Sequence, residues 1–450
     1  MPLFSYVKGS ILWLDAHIFF NINSEQEDLI MSVSRDQFNT MFGRDPYSIP
    51  LDEFDMNQPE LFQSNTQDAY FKRLREEAPI HYCKDSEHGP YWSVTRFKDI
   101  MEVENNPEVF SSEPSIALAD PEEGFEIPMF IAMDEPKHGD QRRTVQGVVA
   151  PPSLAILEPV IRDRICEILD ALPLNETFDW VDKVSIELTG QMLATLFDFP
   201  FEERRKLTYW SDVATAIPAP GELIESLDQR SEILLNECLP AFVELWNKRV
   251  NEPPKGDLIS MLAHGKETRD MDPMEFMGNL ILLIVGGNDT TRNSLTGGVT
   301  FLNENPDQYD KLRANPELIP KMIPEIIRYQ TPLTLMRRTA TRDTVLGGKN
   351  IKEGDKVAMW FLSGNRDPDA IDNPDAFIID RKLPRQHLSF GFGIHRCMGN
   401  RLAEMQLRVT WEEILKRFEK VDVVGTPERA YSVLVRGFTK LPVQLRPIAK

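Results

Sequence analysis

Apolar positions along this chain fall at helical spacing far more often than in alternation. From Gln67 the pattern Tyr70, Phe71 and Leu74 marks one helical face, and the run stops before Pro79. Residues 80–82 and 91–94 alternate around Gly89–Pro90, the pattern of a β-hairpin. Residues 111–126 carry Pro114, Pro121 and Gly124 and read as a loop. Most of the stretch 140–315 reads as long amphipathic helices, separated by Pro151–Pro152, Pro173, Pro200, the Pro/Gly cluster at 217–221 and Pro253–Pro254. A helix over 320–331 has Pro320 at its start and Pro332 just past its end. Residues 337–361 alternate in the β manner around Gly347–Gly348 and Gly354. A last helix covers 398–418, followed by strand-like pieces at 431–434 and 443–445. The expected fold class is mainly α with small β-sheets.

The remaining apolar patch, ILWLDAHIFF at 11–20, is interrupted by Asp15 and His17 and reads as a short amphipathic helix. No stretch reaches the ~20 apolar residues of a membrane span, so no transmembrane anchor is expected. A length of 450 residues suggests about three domains at roughly 150 residues each. The formal charge of −21 argues against nucleic-acid binding, which needs a basic surface. Four cysteines, Cys83, Cys166, Cys238 and Cys397, are far apart and form no CxxC, which argues against a disulfide framework or structural zinc and for a cytoplasmic protein. No repeat and no GxGxxG after a strand is present.

The densest motif is FGFGIHRCMG at 390–399. Its glycines let the backbone turn tightly and approach a flat partner, and Cys397 sits just before a helix, where free N–H groups favour a thiolate. A protease-like nucleophile would need a positioned base, and zinc would need further ligands at suitable spacing. One thiolate on a glycine-rich loop suits axial ligation of haem iron. The run resembles the FxxGxxxCxG cysteine loop of cytochromes P450. That resemblance implies the P450 fold, haem b (iron protoporphyrin IX) as cofactor, and Cys397 as the metal ligand. It covers residues 55–445, so a single catalytic domain over 51–450, preceded by an extension over 1–50, replaces the three domains expected from length.

Other segments match the family in the expected order. Glu325 and Arg328 fit its ExxR, whose i,i+3 spacing puts both charges on one helix face. Arg381 closes a PxxFxxxR run at 374–381, and in the family these three charges form a buried triad bracing the cysteine loop. The helix over 273–301 contains GGNDTT at 286–291, similar to the family's [AG]GxxT; each mid-helix Gly costs ~1 kcal/mol. The resemblance implies that this helix opens for O2 and water, with Asp289 relaying protons and Thr290 holding hydrogen bonds during O2 activation, as the catalytic pair. The run at 136–142 is similar to the family's PxHxxxR, and this resemblance implies that His138 and Arg142 are haem-propionate partners, with Arg338 and His395 completing the set and Arg337 an alternative to Arg338.

Further stretches, including TGQMLATL at 189–196 and CMGNRLAE at 397–404, resemble the soluble bacterial alkane and fatty-acid ω-hydroxylase branch. That implies hydroxylation of the terminal carbon of medium-chain alkanes, alcohols or fatty acids, using O2 and NAD(P)H-derived electrons from a separate ferredoxin and ferredoxin reductase. The segments that cover the haem in this fold supply Ile127, Met129, Phe130, Leu282, Leu283, Val285, Leu333, Leu335 and Met336 as a lining for a linear apolar substrate. Branches acting on terpenes or sterol side chains share some of these features. A peroxygenase and a non-catalytic haem-binding protein are the other readings, and the Asp289–Thr290 pair argues against both. Arg143, Arg396, Arg401 and Lys416 are candidates for a basic patch that receives the electron donor.

Overall fold

The computed structural model describes residues 3–7, 10–14, 40–121, 126–219 and 221–448. Its axis is the helix Pro273–Glu304, 32 residues long, capped by the Asp272 carboxylate on Met274 N–H and opened by Pro273. Phe276, Met277, Leu280, Ile284, Leu295, Val299 and Leu302 on it are all buried, so it is apolar around much of its circumference and packed on several sides. Helices Glu187–Phe197, Arg205–Thr215, Ile319–Gln330 and Asn400–Arg417 surround it.

The helices anticipated from spacing are present, with ends shifted by a few residues. Gln67–Glu77 is helical, 320–331 becomes Ile319–Gln330, and 398–418 becomes Asn400–Arg417. The hairpin at 80–94 pairs Ile80–Cys83 with Tyr91–Val94. It belongs to a five-stranded sheet that continues through Lys356–Met359, parallel to Tyr91–Val94, then Met336–Ala340 and Phe110–Ser111.

Three local expectations need correction. Within 337–361 the alternation ends at Met359, and Phe361–Gly364 is a helical turn. Residues 431–434 form no strand; their neighbour Val435 makes one isolated bridge to Leu333. The segment 11–14 is not helical: Ser10–Leu14 is a strand antiparallel to Leu3–Val7, with Tyr6 opposite Ile11 and Phe4 opposite Trp13. β-branched and aromatic residues, in which both segments are rich, have high strand propensity. Residues 15–20 lie outside the described residues.

Met41 and Ile49, ahead of the boundary expected at 50/51, are fully buried with Phe54, Phe62, Phe71 and Trp360. Among the described residues, no single helix is long and apolar enough to cross a membrane.

Candidate functional site

A cavity of about 820 Å³, with the central helix along one wall and Met336 of the five-stranded sheet among its liners, opens over the cysteine loop. The loop is built by backbone. Cys397 N–H donates to Phe390 C=O at 2.8 Å, and Gly391 and Gly393 adopt left-handed φ of 66° and 64°. Gly393 is required twice over, because a Cβ there would lie 2.4 Å from the Glu104 carbonyl. The loop is thus seated on the end of helix Phe97–Glu104. Cys397 is surrounded by protein yet exposed, because its thiol opens into the cavity. Desolvation pushes that thiol above its ordinary value, opposed by hydrogen bonds from Gly399 and Asn400 N–H and by the charges of Arg142 and Arg396.

His138, Arg142, Arg338 and His395 converge beside it. The two imidazoles lie 4.0 Å apart, centroid to centroid. Burial, the Arg338 charge, His138 and Arg142 together push His395 down to about 2. Burial likewise lowers His138. His395 Nε2 bonds Ser112 Oγ at 2.8 Å and His138 Nδ1 bonds Glu135 at 3.1 Å, but His138 Nε2 and His395 Nδ1 are buried without partners among the described residues. Arg338 is buried and reaches Glu104 only at 3.9 Å, and desolvation pushes the Glu104 carboxyl up to about 7. Arg337 is committed to Asp120 at 2.7 Å, which leaves Arg338 as the arginine of this cluster. Two arginines and two orphaned ring nitrogens next to a thiol fit a flat cofactor carrying two carboxylates.

On the opposite wall, Asp289 is completely buried. It accepts from Ser211 Oγ at 3.2 Å and Asn288 Nδ2 at 3.0 Å, and pairs with Arg292 at 2.8 Å, which in turn holds Asp212. Desolvation pushes its carboxyl up to about 6 despite the Arg292 charge. Thr290 Oγ donates to Gly286 C=O at 2.8 Å, within the continuous helix Pro273–Glu304. Serine and threonine bonds back to the preceding turn satisfy such carbonyls inside a helix.

Glu325, Arg328 and Arg381 are assembled as one buried unit. Arg328 Nε and Nη2 donate to Glu325 at 2.8 Å each, and Arg381 Nε donates to Glu325 at 2.8 Å. The arginines also bond the carbonyls of residues 365, 373, 374 and 376, which lie upstream of the cysteine loop.

Of the nine apolar residues expected to line the cavity, Ile127, Met129, Phe130, Leu282, Leu283, Val285, Leu333 and Met336 do so. Leu335 does not. It is buried with Trp360 and Val433 in a separate cluster, because Thr334 is bound through N–H and Oγ to the carbonyls at 434 and 433, which turns the next side chain away. Unforeseen liners include Ile116, Leu193, Leu196 and Leu234; nothing in their own segments distinguishes them from core positions.

A thiol on a glycine loop, a carboxylate-seeking cation cluster and an acid–alcohol pair thus share one cavity. The Cytochrome P450 family model matches residues 166–432. The chain belongs to the cytochrome P450 family. As such it is a haem-thiolate monooxygenase that takes protohaem IX. It is 34% identical to linalool 8-monooxygenase of Pseudomonas putida, over 87% of this chain and 99% of that protein. It is 30% identical to the methyl-branched lipid omega-hydroxylase of Mycobacterium tuberculosis, over 89% and 96% respectively. The structure of CYP153D17 from Sphingomonas sp. superposes with a TM-score of 0.83 at 50% identity, covering 88% of this chain and all of that one.

Proposed function

We propose that this P450 hydroxylates the terminal carbon of linear medium-chain alkanes, alcohols or fatty acids, in the cytoplasm, with electrons from a separate ferredoxin and its reductase. The observation that carries this reading is the mainly apolar cavity over Cys397, whose walls include Ile127, Met129, Phe130, Leu282, Leu283, Val285, Leu333 and Met336, with Lys137, Arg230 and a few acidic residues also lining it. Apolar walls reward burial of a hydrocarbon chain and leave an unpaired charge costly. Terminal attack runs against C–H bond strength, so regiochemistry rests on positioning of the chain end. A relative at 30% identity is named a lipid omega-hydroxylase, which supports the chain-end reading. Another at 34% is named linalool 8-monooxygenase, which favours a terpenoid alcohol as the second reading.

In this assignment Cys397 is the iron ligand, and His138, Arg142, Arg338 and His395 hold the haem propionates. The bound haem supplies O2 activation and transfer of the oxygen atom. Thr290 is placed on the cavity wall to orient hydrogen bonds beside the reacting centre. Asp289, buried behind it and tied through Arg292 to half-exposed Asp212, carries protons inward. The triad of Glu325, Arg328 and Arg381 holds the chain that leads into the cysteine loop.

The test is a spin-shift titration of the haem-loaded protein with octane, dodecanoate and linalool, followed by product analysis with a surrogate ferredoxin system. ω-Oxidised linear products are expected. Linalool turnover with no shift by either linear chain would overturn the substrate class. Cys397→Ala should lose both the thiolate carbon monoxide spectrum and turnover.

A further inference from the structure

The cavity wall made by Ile127, Met129 and Phe130 has little secondary structure of its own: Met129 is extended and Phe130–Ala132 is a single turn. Its position is set by the first turns of the central helix. Asn279 is fully buried; its Oδ1 accepts from Phe130 N–H at 2.9 Å and its Nδ2 donates to Gln141 Oε1 at 2.9 Å. Gln141 sits on the helix Lys137–Val145 that also carries His138 and Arg142, and its Nε2 donates to Glu275 on the central helix. Beside Asn279, a Cβ on Gly278 would lie 2.0 Å from the Pro128 carbonyl oxygen and 2.9 Å from Ile127 Cγ2. The wall segment therefore rests directly on the helix backbone.

We propose that Asn279 is a specificity-determining positioning residue: its amide, with Gly278 as the seat, fixes how far Met129 and Phe130 project into the cavity. The amide supplies one acceptor and one donor at a single buried point. A leucine would leave the Phe130 N–H unpaired, and an aspartate could not donate to Gln141 Oε1. The inference rests on the reading that this cavity receives the substrate, and it concerns the shape of the wall whatever that substrate is.

The test uses the full-length haem-loaded protein with azoles that ligate the iron from the cavity side, imidazole and the much bulkier clotrimazole. Asn279→Ala should keep its haem content and its reduced carbon monoxide spectrum. Its discrimination against clotrimazole relative to imidazole should relax by about tenfold, the size of effect expected for losing one buried hydrogen bond. Gln141→Ala, which leaves the bond to Phe130 intact, should relax it less. Gly278→Ala preserves every donor and acceptor while displacing the segment, and should change the same ratio. It serves as the independent variant if Asn279→Ala fails to fold. An unchanged ratio in a haem-replete Asn279→Ala overturns the proposal. So does haem loss in both Asn279→Ala and Gly278→Ala, which would make the contact a general support. Relaxed azole discrimination, in a protein whose wild type is not shifted by octane or dodecanoate, would reject the linear-chain reading and uphold this one.

Discussion

Replacing Glu325 by Gln changes one atom and should cost this protein a large part of its stability. Glu325 is completely buried and accepts four hydrogen bonds at 2.8 Å: two from Arg328, one from Arg381 Nε and one from Ile378 N–H. Among the described residues it is the one carboxylate held directly by both guanidiniums, which are themselves buried. Glutamine keeps the shape, removes the charge, and turns an NH2 toward an arginine donor. Breaking a buried pair by removing one partner costs about 3–5 kcal/mol. Domains of ordinary stability have about 5–15 kcal/mol in total. The folded population should therefore fall by roughly two to four orders of magnitude relative to the unfolded one.

The assay is urea denaturation of the haem-loaded variant, followed by tryptophan fluorescence and by the Soret band. Midpoints are the quantity to compare, because a tightly bound cofactor breaks strict two-state behaviour. Asp343→Asn is the control: it removes an exposed pair with Lys352 at 2.7 Å and should leave the midpoint in place. Both probes should shift together in Glu325→Gln, since the arginines bind the backbone leading into the cysteine loop. Wild-type midpoints and haem content in Glu325→Gln would refute the claim that this carboxylate neutralises a buried charge cluster.

Gly393→Ala must accept a left-handed φ of 64° and a Cβ 2.4 Å from the Glu104 carbonyl, so the cysteine loop should lift and haem affinity fall by about five- to thirtyfold, the equivalent of ~1–2 kcal/mol of backbone strain; apo-protein titration with haemin checks this. Asp289 has a raised carboxyl in the folded state, about 6, so between its ordinary 3.8 and about 6 the native protein keeps a proton that the unfolded chain has lost. Its contribution is therefore most favourable below 3.8, declines as pH rises through that window and is constant above it; Asp289→Asn should flatten this part of the urea-midpoint profile, and an identical profile counts against the assignment. Thr290→Ala should raise peroxide release per NADH consumed, and unchanged coupling would remove Thr290 from the catalytic pair. Arg396 and Arg401 are exposed beside Cys397, whereas Arg143 and Lys416 are paired with Asp140 and Glu413; reversing the first two to Glu should slow ferredoxin-dependent reduction in stopped flow at low salt without altering substrate spin shifts.

Much of this molecule could be read from contiguous residues. The cysteine loop is legible because its requirements are local: glycines where φ is positive, a thiol before a helix. The start of the helix Pro273–Glu304 is legible because Asp272 caps it and Pro273 occupies its first turn. Glu325, Arg328 and Arg381 were identifiable as a set by family spacing, although nothing in an ExxR alone distinguishes a buried pair from a solvated one.

Packing decided the rest. Leu335 faces away from the cavity because Thr334 is bound by carbonyls nearly 100 residues distant in sequence. The surroundings of Asp289 come from Ser211 and Asp212 on another helix, and Asn279 meets Phe130 across 149 positions. The strand Ser10–Leu14 needed its partner Leu3–Val7 to be distinguished from a helix. Backbone conformation answers to near neighbours, which sequence records directly. Which buried polar group finds which partner answers to tertiary geometry, and a carboxylate or amide carries no local sign of the donor it will meet.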